Sequence, residues 1–245
     1  MRIRPALLLS ALLAAPVLGS AQAAPVPASA PAAAVPPVVQ LGVDVPPYYV
    51  AGARFGEPPK VAVDPAVDKL LSSSKREDIQ QAVLAIAAKP DLVKPETLIA
   101  LSMRLYDVGL RDDAVFWYYA GRDRFLTMEQ VLDMRSLQLI HSTEVIESFI
   151  RAAGPAMDGY AYCSVAQQAE HEDQAIAWVA THPYKILGYT ELPAIGEDRN
   201  AALANAVNHL RDASRKKKAL LADPKTLGEL LAARERSHAH ERYCW

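Results

Sequence analysis

Apolar residues recur at three- and four-residue spacing through most of the chain, and short stop signals cut this pattern into helix-length pieces. Ser74-x-x-Glu77 reads as a capping box, followed by Ile79, Val83 and Ile86 and stopped by Pro90. Pro95 opens a second helix with Leu98, Leu101 and Leu105 on one face, and Gly109 suits the left-handed position after it. A third helix is predicted over 111–125. Thr127-x-x-Gln130 caps a fourth that carries Val131, Leu132, Leu137 and Ile140. Ser142 or Thr143 caps a fifth with Val145, Ile146, Phe149 and Ile150, stopped by Gly154-Pro155, and Asp158-Gly159 marks a turn. Ser164-x-x-Gln167 caps a sixth that ends before His182-Pro183. Another helix spans about 197–221 with Leu203, Val207 and Leu210 inward, and Asp223 caps a last one with Leu227, Leu230 and Leu231. No strand-like alternation stands out. Repeated stops with short connections predict an all-α fold of about seven or eight helices in antiparallel hairpins.

The first 73 residues follow different patterns. Arg2 and Arg4 precede an apolar run from Pro5 to about Leu18, and Ala21-x-Ala23 supplies a small-x-small site. This order of parts predicts a cleavable secretory signal over 1–23. The run is shorter than the roughly 18–20 residues that span a bilayer, and no later segment is longer and apolar enough, so the mature chain is expected not to span a membrane. Residues 24–47 are rich in Ala, Pro and Val, and prolines at that density lack amide donors and forbid helix, which predicts an extended or disordered linker. Residues 48–73 read as an irregular arm, with Tyr48, Tyr49, Val50 and Phe55 able to dock on the helical domain of 74–245.

Charge and cysteine content narrow the function classes. The 245-residue chain has a formal net charge of −2, and loss of the signal removes two arginines, so the mature chain is mildly acidic. That balance argues against nucleic acid or an anionic membrane as partner. An exported chain meets oxidising conditions, so the two cysteines, Cys163 and Cys244, are expected to pair. Closing a loop of about 80 residues stabilises by roughly 4–5 kcal/mol in the chain-entropy picture.

Residues 101–121 carry Leu105-Tyr106, Gly109, Asp113-Ala114, Trp117-Tyr118 and Ala120-Gly121. This spacing resembles a Sel1-like or tetratricopeptide helix-turn-helix unit, in which small Ala114 lets two helices approach and Tyr106 and Trp117 fill the wedge between them. The resemblance covers about 20 residues. It implies a repeat-like hairpin and, by stacking, a face that binds other proteins.

Candidate chemistry is sparse. Nucleophile-elbow, zinc-protease, phosphate-loop and paired-cysteine metal motifs are absent from the sequence. His238, His240, Glu241 and Cys244 lie close together, but histidines two apart on a helix diverge and an oxidised cysteine cannot ligate; a frayed tail is the simpler reading, and no metal or other cofactor is expected. His171-Glu172-Asp173 reads as a solvated helix face, His141 as a helix-end histidine and His209 as a packed one. Arg215-Lys216-Lys217-Lys218 either attracts an acidic partner or complements a helix dipole. Phe116, Trp117, Tyr118 and Tyr119 circle one helix and cannot all face inward of a single layer. Beside Arg122 they form either an interface hot spot or the filling of a helix sandwiched on both sides.

These features favour a non-enzymatic protein-protein interaction module, periplasmic or secreted, whose partner is another exported or envelope protein; an inhibitor- or immunity-type protein is a narrower form. The alternative is an envelope-acting hydrolytic or lytic enzyme whose carboxylates, from Glu144, Glu147, Glu170 and Glu172, are assembled only by the fold.

Overall fold

The computed structural model describes residues 65–245. The signal of 1–23, the linker of 24–47 and the arm up to residue 64 lie outside the described residues. The fold is all-α. Among the described residues there are nine α-helices: α1 (Pro65–Leu71), α2 (Arg76–Ala88), α3 (Pro95–Asp107), α4 (Arg111–Val131), α5 (Ile140–Ala161), α6 (Val165–Thr181), α7 (Arg199–Ala222), α8 (Pro224–Arg236) and α9 (Ala239–Tyr243). Single 3-10 turns at Pro90–Leu92 and Lys185–Gly188 join them, and an isolated antiparallel bridge links Leu132 to Ala194.

α4 is the centre. It packs against α3, α5, α6 and α7, and 13 of its 21 residues are buried. A helix covered on so many sides needs an apolar surface all round, which is what four consecutive aromatics supply. α3 and α4 form the expected hairpin. Gly109 turns the chain with φ +81°, and Leu110 N–H donates to the Leu105 carbonyl at 2.8 Å to close the end of α3. Ala114 is fully buried, and Gly121 sits where an added Cβ would lie 2.8 Å from Ile99 Cγ1 and 2.9 Å from the Pro95 carbonyl. The absence of that one carbon lets the α3 backbone approach α4.

Several caps form as the sequence predicts. Ser164 accepts from Gln167 N–H at 3.3 Å and Asp223 from Thr226 N–H at 2.8 Å. Others do not. The start of α2 is shifted: Lys75 N–H donates to Ser73 Oγ, and Ser74 makes no cap. Thr127 caps nothing, because α4 runs through it to Val131 and its hydroxyl donates back to the Arg124 carbonyl. The predicted fourth helix is therefore the end of α4 plus a connection. Gly154-Pro155 does not stop α5, which continues to Ala161. Gly154 is a contact residue there, its α-carbon faced by Tyr118 Oη at 3.1 Å from where a Cβ would be. Pro155 lacks only the amide that would serve Arg151, an exposed residue. Asp158-Gly159 is likewise helix, not turn. Part of the expected irregular arm is α1, whose Val67 and Leu71 are buried. α8 buries none of its residues, so Leu227, Leu230 and Leu231 are not core.

Among the described residues, Arg124 is one of the largest fully buried side chains. Its guanidinium donates to the carbonyls of Pro90 (2.7 Å), Val93 (2.6 Å) and His182 (2.6 Å) and lies over the rings of Trp178 and Tyr184. Burial draws its pKa down to about 10, so it remains charged at neutral pH.

Two substitutions test this packing by urea denaturation. Gly121→Ala is expected to destabilise by about 1–3 kcal/mol through overpacking against backbone. Arg124→Met, close in length but unable to donate, is expected to cost roughly 3–5 kcal/mol by orphaning three buried carbonyls.

Candidate functional site

Trp117, Tyr118 and Tyr119 are buried in the core, and Phe116 is half-buried against Trp117 at 5.0 Å between rings. The hot spot anticipated at 116–119 and Arg122 is therefore not an exposed patch. The sandwiched-helix reading holds: Trp117 stacks edge-on against Trp178 of α6 at 5.3 Å, and Tyr118 reaches Gly154 of α5. Arg122 is the one charged member, a quarter exposed, with its guanidinium 4.6 Å from the Tyr119 ring centre.

Behind Tyr119 lies a buried ionic network. Arg122 donates to Asp123 Oδ1 at 2.9–3.0 Å and pairs with Glu172 of α6 at 3.6 Å. Lys217 of α7 donates to Glu172 at 2.5 Å, and Gln168 donates to the Tyr119 hydroxyl at 3.3 Å and to Glu172 at 3.4 Å. Tyr119 Oη donates to Asp158 of α5 at 3.5 Å. Burial pushes Asp123 and Asp158 above the ordinary carboxylate range, with Arg122 opposing in both cases. Burial works against the charge of Arg122, but Asp123, Tyr119 and Glu172 together outweigh it and hold the guanidinium above its usual value. The network ties four helices together through paired charges, and leaves Asp123 Oδ2 buried without a hydrogen-bond partner. Such paired buried charges hold the facing helices in register.

An aromatic–arginine cluster does reach the surface, at a place the sequence reading did not single out. Arg111, at the start of α4, lies 3.7 Å from the Trp245 ring centre, 5.0 Å from that of Tyr106 and 5.8 Å from that of Tyr160, and it donates to the Trp245 carbonyl. Trp245 is 76% exposed. Beside it opens a pocket of about 260 Å³ lined by Asp112, Tyr160, Ser164, Gln167, His171 and both cysteines. Tyr160 Oη donates to Asp112 Oδ1 at 3.1 Å, and His171 Nε2 lies 3.7 Å from the same oxygen. The expected disulfide is present: Cys163 and Cys244 are joined, with Cα atoms 5.6 Å apart, and carry Trp245 to this spot. The tail is consequently not frayed. It forms α9, and Tyr243 packs on Gly159, where a Cβ would lie 2.6 Å from its ring.

The remaining candidates are placed apart. Glu144 pairs with His141, Glu147 with Arg151, and Glu170 accepts from Gln174, all exposed, while Glu172 is buried in the ionic network. The structure does not bring these four carboxylates to one pocket. His238 pairs with Glu241 at 3.4 Å, and Cys244 is oxidised. In the basic run, Lys217 serves Glu172, Lys218 pairs with Asp173 and Arg215 with Asp212. Lys217 thus reaches a buried carboxylate and Lys218 ties α7 to α6 at the surface, while the Arg215 pair is an exposed one within α7.

The chain is 30% identical over 209 residues to an uncharacterized protein of Haemophilus influenzae, across 85% of this chain and 80% of that one. The chain belongs to that protein's family. The match is long enough that most of the helical region lies within it. No family model matches the chain, and no solved structure matches it.

One further carboxylate has a perturbed proton affinity. Glu96 is 1% exposed, 3.8 Å from Lys94, and its Oε1 has no hydrogen-bond partner. Burial pushes it up to about 7, against the pull of Lys94. In the unfolded chain it ionises at its ordinary value near 4.5, while the folded chain holds the proton to about 7. Its contribution to stability is therefore complete below about pH 4.5 and lost as the pH rises to about 7. Unfolding free energies from urea titration should fall further across that window in the wild type than in Glu96→Gln, by about 1–3 kcal/mol; parallel curves would remove Glu96 as the cause.

Proposed function

We propose that this chain is an exported protein-protein interaction module of the cell envelope, built on one Sel1-like or tetratricopeptide-like hairpin. The observation that carries the reading is the cluster in which exposed Trp245 covers the half-buried Arg111 and Tyr160, beside the Asp112 pocket. Trp, Tyr and Arg are the residue types that dominate binding energy at protein interfaces. The partner is an exported protein that presents a lysine or arginine to the Asp112 carboxylate, flanked by an apolar residue against Trp245. The pocket suits that side chain in size, has a carboxylate that is over half exposed, and has aromatic walls. The apolar run with its Ala21-x-Ala23 site, together with the disulfide, supports export.

Two measurements test the proposal. Protein recovered from the envelope fraction should begin at Ala24; a chain retaining Met1 in the cytoplasm would remove the export half. Tagged protein, mildly crosslinked in envelope extract, should yield a stoichiometric exported partner. With that partner purified, Trp245→Ala and Asp112→Lys should each weaken binding at least about tenfold, while Leu137→Ser, at an exposed site elsewhere, should not. Unchanged affinity in both cluster variants would overturn this surface as the site.

A further inference from the structure

The disulfide between Cys163 and Cys244 lies open to solvent, where such bonds are more readily attacked. Cys163 is exposed, Cys244 is half-buried, and both line the open pocket of about 260 Å³. A second feature concerns charge. Arg234 of α8 directs Nη2 to the Cys244 sulfur at 3.5 Å and to the Cys163 sulfur at 3.7 Å, while donating to the Gly159 carbonyl at 3.0 Å. A neutral disulfide gains little from an adjacent guanidinium. A thiolate gains a great deal, because a nearby cation lowers thiol pKa and improves the sulfur as a leaving group.

From this arrangement we infer that Cys163–Cys244 is a thiol–disulfide exchange site whose substrate is a dithiol, such as the reduced active site of an exported oxidoreductase. The attacking thiolate enters through the pocket and bonds to the exposed Cys163 sulfur. The Cys163–Cys244 bond breaks, and the electron pair leaves on Cys244 as a thiolate beside Arg234. The donor's second thiol, deprotonated, then attacks its own sulfur in the mixed disulfide and releases Cys163. The donor ends as a disulfide, the two cysteines as thiols, with two electrons and two protons transferred. Reduction removes the covalent tie between the segments that follow α5 and α9. Tyr243 on Gly159 and Trp245 on Arg111 are then left to hold the tail by non-covalent contact alone.

The test follows reduction of the oxidised full chain by dithiothreitol near neutral pH, without denaturant, by alkylation and intact mass. The same bond in urea-unfolded protein gives the reference rate, and circular dichroism checks that each variant is folded. The native bond should be reduced at a rate within about tenfold of the unfolded one, because it is open to attack. Arg234→Gln should slow native reduction about 3- to 10-fold by withdrawing the charge that stabilises the leaving thiolate. Arg234→Lys, which keeps the charge, should stay nearer the wild type. Resistance until unfolding would overturn the inference. So would an Arg234→Gln rate equal to or above wild type, or the reverse order of the two variants. Carboxypeptidase digestion reads the consequence: reduced protein should lose Trp245 and Tyr243 faster than oxidised protein, and equal rates would show that the bond does not govern the tail.

Discussion

The guanidinium of Arg124 sets the terms for the rest of the molecule. It projects from the central helix and takes three backbone carbonyls that no helix can satisfy: two from the turn before α3 and one from the exit of α6. Those carbonyls are the loose ends of two elements that pack on α4. A cation buried in protein demands such partners, so α3 and α6 are fixed where they begin and end, as well as along their lengths. Trp178 and Tyr184 cover the guanidinium and exclude water, which strengthens each bond it makes. With these connections pinned, the aromatic surface of α4 has walls on every side and the buried charges behind Tyr119 have fixed partners.

How much of this was legible in the sequence depended on the range of the signal. Local chemistry read well: Ser164 and Asp223 cap the helices they precede, Gly109 turns the hairpin, and the cysteines pair. Local chemistry with two meanings read badly. Gly154 and Gly159 carry the marks of a stop and a turn, yet they are the places where Tyr118 and Tyr243 come closest to α5. A glycine that frees the backbone and one that makes room for a neighbour look the same until the neighbour is known. Thr127 failed similarly, since a hydroxyl inside a continuing helix can bond back to the preceding turn.

The candidate site was the least legible part, because its members are far apart in the chain. Arg111 and Trp245 are separated by 134 positions, and Lys217 and Glu172 by 45. The sequence drew attention to the dense runs at 116–119 and 215–218. Density there reflects duty within the fold: an enclosed helix needs aromatics on every side, and a helix clamped through carboxylates needs lysines. The cluster around Trp245 is assembled from residues that look unremarkable one at a time. Composition identified the types an interface would use, and topology moved them elsewhere.

α8 has a different standing from its neighbours. It buries none of its residues and is held at its ends, by the Asp223 cap where it begins and by Arg234 and the cross-linked tail where it finishes. An element fastened in this way behaves like a handle and not like a brick. Its outer positions owe nothing to the core, so they can drift in sequence, take up charge, or accept a grafted epitope without disturbing the helices beneath. Change on its outer face therefore carries a low structural cost.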